Sequence, residues 1–145
     1  MTAITRPEPI RLCHGFKANG RFEPDPSGPS WFVFVEAEDL VFWRPGTGEL
    51  ATWHGRAFAV NESAIDAAST FALGFSLNVF ESPLDWLRAG RDGIIVLNWR
   101  FAFDKLRHCP RVAIAESLVP MYDRFMQPPR MPEVYILRRR TEAAA

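Results

Sequence analysis

Trp31-Phe32-Val33-Phe34-Val35-Glu36 is the stretch that decides the fold class. Its first five residues are all aromatic or β-branched, and such side chains pack well on a pleated, half-buried surface. Residues 31–36 therefore read as a strand. Leu40-Val41-Phe42-Trp43-Arg44 has the same composition and reads as a second one. Pro45-Gly46-Thr47-Gly48 between it and the next apolar run is a turn sequence. Residues 50–60 continue as a third strand, with Gly55 marking a bulge. The N-terminal half is thus expected to be an antiparallel meander.

Upstream, residues 15–30 hold three glycines and three prolines among polar residues. That composition predicts a long loop after a short strand at residues 10–14. Residues 1–9, with Pro7 and Pro9, read as a loose arm.

Downstream the apolar period changes at Asn61. Ala64, Ile65, Ala68, Phe71 and Ala72 recur at helical spacing, with Asn61 as a possible N-cap. A strand at residues 75–80 follows. Ser82-Pro83-Leu84-Asp85 is a helix start, with a capping hydroxyl, a proline at the first helical position and an acid that reaches back. Residues 94–98 (IIVLN) are unbroken by polar groups until their end and predict a central strand, buried on both faces. Trp99, Ala102, Phe103 and Leu106 share a helical face. A strand at residues 111–115 leads to a helix capped by Ser117, which carries Leu118, Met121, Tyr122 and Phe125 on one side. Pro128, Pro129 and Pro132 make a stiff link to a last strand at residues 133–137, and residues 139–145 read as a flexible tail. The fold class is α+β: a single domain whose antiparallel N-terminal meander is continued by short α/β units into a mixed sheet.

The chain has 145 residues, 48% of them hydrophobic and 13% aromatic, enough to build a core without disulfides or metal. Its net charge is zero, which argues against a general polyanion binder. The charge is unevenly spread: residues 1–99 hold 8 basic and 12 acidic residues, residues 100–145 hold 9 and 5. Only two of the 17 basic residues are lysines, a bias that suggests a GC-rich bacterial genome. No apolar run reaches the roughly 18 residues of a membrane span, and residues 1–9 hold no signal-like apolar core. A cytoplasmic protein with no membrane partner is expected.

Five groups of residues could carry chemistry. Cys13-His14 and His108-Cys109 supply metal-ligand types, but neighbours on a strand point to opposite faces and cannot easily share one ion. No metal and no cofactor is expected. Cys109 with His54 or His108 lacks any flanking nucleophile pattern. If the second half is partly parallel, Glu81, Asn98, Arg100 and Glu116 fall at the carboxyl ends of strands, where α/β sheets bind ligands. Those four are the candidate catalytic residues. Capping by Ser82 and Ser117 explains most of the same region. Trp43 and Trp53 flank the Pro45–Gly48 turn and could present an aromatic binding face. Arg138, Arg139 and Arg140 could contact phosphates.

Polar residues suited to catalysis are thus accounted for by caps and turns, whereas tryptophans and arginines are in excess. The sequence reads as an accessory protein that binds another macromolecule, most simply a protein partner. Nucleic-acid binding through the basic C-terminal third and a small enzyme with a strand-end site are the alternatives.

Overall fold

The structure, a computed structural model, describes residues 10–139. It contains both strands and helices, as a mixed α+β chain should. Five strands form the first half: β1 (Arg11–Ala18), β2 (Arg21–Pro24), β3 (Ser30–Val35), β4 (Leu40–Arg44) and β5 (Glu49–Thr52). They close into a barrel in the order β1-β2-β5-β4-β3.

Closure is the main departure from the open meander that the sequence suggests. The cause is Asn19-Gly20. Both residues take positive φ, 52° and 76°, so they make a two-residue hairpin turn that returns the chain as β2. What reads as a loop at residues 15–30 is mostly the β1–β2 hairpin, in register from Gly15 opposite Pro24 to Ala18 opposite Arg21. Its strands escape detection because only Gly15 and Phe22 are buried in them, so apolar alternation is missing. The seam then forms between β2 and β5, which are parallel with Arg21 opposite Thr52. Thr52 N–H donates to the Gly20 carbonyl at 3.1 Å. Arg21 Nε donates to the Trp53 carbonyl at 2.7 Å.

Inside the barrel, Phe22 stacks on Phe42 with centroids 3.8 Å apart, and Trp31 stands edge-on to Phe22. Trp31 Nε1 donates to the Gly15 carbonyl at 2.9 Å, which satisfies a fully buried indole. β4 is buried on both faces. Phe42 points into the barrel, while Val41 and Trp43 join Phe34, Val60, Trp86 and Ile95 in a second core cluster outside it.

The expected strand at residues 50–60 breaks after Thr52. The buried carboxylate of Asp39 explains why. Oδ1 accepts N–H groups of Leu40 and His54 at 2.8 and 2.7 Å, and Oδ2 accepts those of Arg56 and Ala57 at 2.8 and 2.9 Å. A loop wrapped around one carboxylate replaces the strand, and β6 (Ala59–Val60) begins beyond it.

The second half holds β7 (Leu77–Val79), α1 (Pro83–Arg88), β8 (Ile95–Val96), α2 (Ala102–Leu106), β9 (Val112–Ile114) and α3 (Val119–Phe125). These strands do not extend the barrel wall. β6 pairs with β8 antiparallel and β7 with β9 parallel, and Val79 bridges Ile94 in parallel. The strand expected at residues 94–98 is therefore short, but Ile94 and Ile95 are fully buried between β6 and β7. α1 starts as read: Asp85 N–H donates to Ser82 Oγ at 3.3 Å, and Ser82 Oγ donates to the Asp85 carboxylate at 3.1 Å. It ends in a Schellman motif at Gly90, with Gly90 N–H on the Leu87 carbonyl and Arg91 N–H on that of Trp86.

The helix expected from residue 61 is instead two 3-10 segments, Glu62–Ile65 and Ala68–Gly74, the latter interrupted by extended Ala72 and left-handed Leu73. Asn61 does not cap it. It sits at φ 61°, and its side chain donates to the Gly93 carbonyl at 2.9 Å. Thr70 Oγ1 donates to the Ala64 carbonyl at 2.6 Å, a local bond that competes with helix continuation. Ser117 likewise does not cap α3, which is entered through a 3-10 turn, Glu116–Leu118.

The last expected strand, residues 133–137, is absent. The chain leaves α3 and runs to residue 139 without regular structure. No helix among the described residues is long and apolar enough to cross a membrane. The expected arm at residues 1–9 and all of the expected tail beyond residue 139 lie outside the described residues.

Candidate functional site

The candidate catalytic residues divide. Glu81 lies two residues beyond β7 and Glu116 two beyond β9, and the parallel pairing brings these strand ends together. Ser117 Oγ donates to Glu81 Oε2 at 2.6 Å, an exposed contact that ties the two ends. Asn98 turns back on its own chain, its Oδ1 accepting Arg100 N–H at 3.3 Å. Among the described residues no hydrogen bond or ion pair joins Asn98 or Arg100 to either carboxylate, and none of the four lines the large groove described below.

The aromatic face does not form. Trp43 is only 7% exposed and packs against Phe32 and Phe34. Its partner across the hairpin is Leu50, not Trp53. The reason is that both faces of β4 are covered, so a tryptophan there serves the core. Trp53 is 38% exposed at the barrel seam, its ring tilted against Phe42. Arg138 and Arg139 are exposed, and Arg140 lies outside the described residues.

Cys13 sits in the barrel wall opposite Trp31, and Cys109 packs against the core cluster of the second half. Both are free thiols, and burial pushes both up from the ordinary thiol value, with Asp66 adding to the effect at Cys109. No group of side chains among the described residues could hold a metal ion.

A groove of about 1180 Å³ runs between the barrel and the second half. Val33, Val35, Val60, Ile65, Phe71 and Trp86 are among its lining residues, together with the basic side chains of Arg11, Arg91 and Lys105. Val35 is 64% exposed, a large apolar side chain left open to the groove. β1 pairs with β3 from Arg11 opposite Val33 onward, and in the same register the positions opposite residues 35 and 36 lie outside the described residues.

Glu36 also lines this groove. Its Oε1 accepts the backbone N–H of Asn61 in a short hydrogen bond. Burial raises its carboxyl to about 7; the N–H groups of Asn61 and Glu62 oppose this, and the charges of Glu62 and Asp39 add to it. Glu62 is paired with Lys105 at 3.6 Å. Asp66 and Asp104 also line the groove and take no salt bridge among the described residues. No hydrogen bond there joins Cys109 or His108 to a carboxylate, so the groove offers walls and charge rather than an assembled nucleophile. The sequence reading missed Glu36, although an acid directly ending the WFVFV run was a signal that polar chemistry begins there.

The other unsatisfied feature is the C-terminal segment. Val134, Tyr135, Ile136 and Leu137 are 83%, 81%, 88% and 97% exposed. No backbone hydrogen bond among the described residues involves residues 127–139, and the one side-chain bond within 131–139 is local, from Tyr135 to Glu133 at 2.6 Å.

Comparison with protein-family models, with curated proteins and with solved structures returns no match to this chain.

Proposed function

We propose that this chain works by binding another protein, and that its contact element is the apolar segment at residues 131–137, offered as a strand. The observation that carries this is the exposure of four consecutive large apolar residues, Val134 to Leu137. Water does not favour such a run, and chains keep one exposed where a partner covers it. The composition is that of a strand, which the sequence alone already suggests, yet no strand among the described residues pairs with it. A segment with strand chemistry and no backbone hydrogen bond among the described residues is suited to adding to the sheet edge of another chain. Pro128, Pro129 and Pro132 stiffen the link that holds it away from α3.

The basic run that follows, Arg138 to Arg140, extends the same element and gives it a preference for an acidic rim. Of the strand-end residues, Glu81 and Glu116 stand at adjoining strand ends tied by Ser117, while no hydrogen bond or ion pair among the described residues joins Asn98 or Arg100 to them.

The test compares capture from the native host by the full chain, by Ile136→Asp and by a chain with Arg138, Arg139 and Arg140 all changed to alanine. A specific protein partner should be retained by the arginine variant and weakened about 30-fold or more by Ile136→Asp, as for a central apolar anchor. Recovery of nucleic acid that depends on the arginines and not on Ile136 would overturn the proposal.

A further inference from the structure

Residues 61–74 form an irregular stretch between β6 and β7. Its two 3-10 segments, Glu62–Ile65 and Ala68–Gly74, bury only one side chain between them, Ile65. The same stretch supplies groove residues from Asn61 to Phe71. Few buried apolar contacts mark a segment that opens locally, ahead of global unfolding. We infer that this stretch is a strap over the groove, and that the Glu36 carboxyl is its latch, closed while it holds its proton and loosened when it ionises. The C-terminal segment plays no part in it.

The latch joins the strap to the barrel. Glu36 Oε1 accepts the backbone N–H of Asn61 in a short hydrogen bond, and the Glu62 N–H also serves this carboxyl. Glu36 is itself fixed on the barrel side, its own N–H donating to the Asp39 carbonyl at 3.0 Å. At the far end of the strap Arg111 donates from Nη2 to the Phe71 carbonyl at 2.8 Å and from Nε to the Phe75 carbonyl at 3.1 Å.

The charges around Glu36 set the sign. Glu38, Asp39, Arg56 and Glu62 share with it a small cavity of about 140 Å³, so four carboxyl groups face one guanidinium there. The larger groove brings Asp66 and Asp104 together with Arg11, Arg91, Lys105 and His108, a mixture of both signs. Glu62 Oε1 is buried and takes no hydrogen bond among the described residues, with Lys105 Nζ at 3.6 Å as its ion-pair partner. A second negative charge beside it is poorly solvated, and burial raises the Glu36 carboxyl to about 7. Once ionised, Glu36 regains water if residues 61 and 62 swing away. Opening is thereby linked to proton loss. Its equilibrium constant rises by up to about tenfold per pH unit from the ordinary carboxyl value of 4.5 to about 7, and levels off above that.

The test is amide hydrogen exchange of the full chain at pH 5.5 and pH 8, with each rate divided by the intrinsic rate at that pH. The reporters are the N–H groups of Ala64 and Thr70, which donate to the Asn61 and Ala67 carbonyls within the strap; the β4 amides report global unfolding. Ala64 and Thr70 should be less protected than β4 at both pH values, and their protection should fall about 10-fold or more at pH 8. Glu36→Gln keeps an acceptor oxygen and cannot ionise, so it should abolish the fall. Strap amides as protected as β4 would mean that no local opening exists, and the inference fails. A protection that does not change with pH, or a fall that persists in Glu36→Gln, overturns it as well. Should Glu36→Gln not fold, Glu62→Gln decides: a smaller fall supports the latch, and an unchanged one overturns it.

Discussion

The indole of Trp86 stands edge-on to the ring of Phe34, with centroids 5.4 Å apart and planes at 85°. This contact belongs to the cluster that joins α1 to the barrel, and Trp86 Nε1 also donates to the Gly93 carbonyl at 2.8 Å. Trp86→Ala should therefore destabilise the fold by about 3–5 kcal/mol, through a large cavity and the loss of one of the two donors to the Gly93 carbonyl. A double-mutant cycle with Phe34→Ala should return a coupling of about 0.5–1.5 kcal/mol for the ring pair. Denaturant unfolding measures both, and strictly additive losses would show that the two halves are not coupled through these rings.

Asp39 organises the loop at residues 53–58 through three of its backbone N–H groups and accepts a fourth from Leu40. Asp39→Ala should cost about 3–5 kcal/mol, since several donors lose their acceptor at once. Asp39→Asn keeps an oxygen for one pair of donors and sets its NH₂ against the other, so its loss should fall between wild type and alanine. Thermal melts of the three proteins test the order.

Glu36 and Asp39 give pH dependences of opposite sign. The folded Glu36 carboxyl titrates near 7, above its unfolded value of 4.5. Between those values the folded state holds a proton that the unfolded chain has released, so stability falls as pH rises through this window. The loss should be about 1–2 kcal/mol, allowing for screening at a partly solvated group. Glu36→Gln should remove that slope. Burial works against the charge of Asp39, but its four N–H donors outweigh it and hold the carboxyl below the ordinary value of 3.8. Its contribution is present above that value and is lost as pH falls through the lower, folded one. Unfolding free energies from pH 4 to 8 should show a decline toward the alkaline side in the wild type that is absent in Glu36→Gln.

Gly15 has no room for a side chain. A Cβ there would lie 2.3 Å from the Glu23 carbonyl oxygen and 2.5 Å from the Phe22 ring. Gly15→Ala should cost about 2–4 kcal/mol, because the contact is with backbone on one side and a stacked ring on the other. A chemical denaturation midpoint equal to that of wild type would mean that the β1–β2 hairpin can shift freely.

The sequence by itself determined the elements whose signals are local. β3 and β4 declare themselves by aromatic and β-branched runs, α1 by Ser82, Pro83 and Asp85, and the strand chemistry of residues 133–137 by composition. What it could not determine was who pairs with whom. Closure of the barrel depends on Arg21 meeting Thr52, residues 31 positions apart. The break after Thr52 depends on a carboxylate 13 residues earlier, at Asp39, capturing N–H groups as far along as Ala57. Trp43 looked like a surface anchor until β6, β8 and α1 covered the outer face of β4. Pairing and burial of this kind are long-range consequences of packing, and composition along the chain is blind to them. The C-terminal segment shows the converse. Its sequence calls for a sheet, and only the tertiary structure reveals that no strand among the described residues pairs with it.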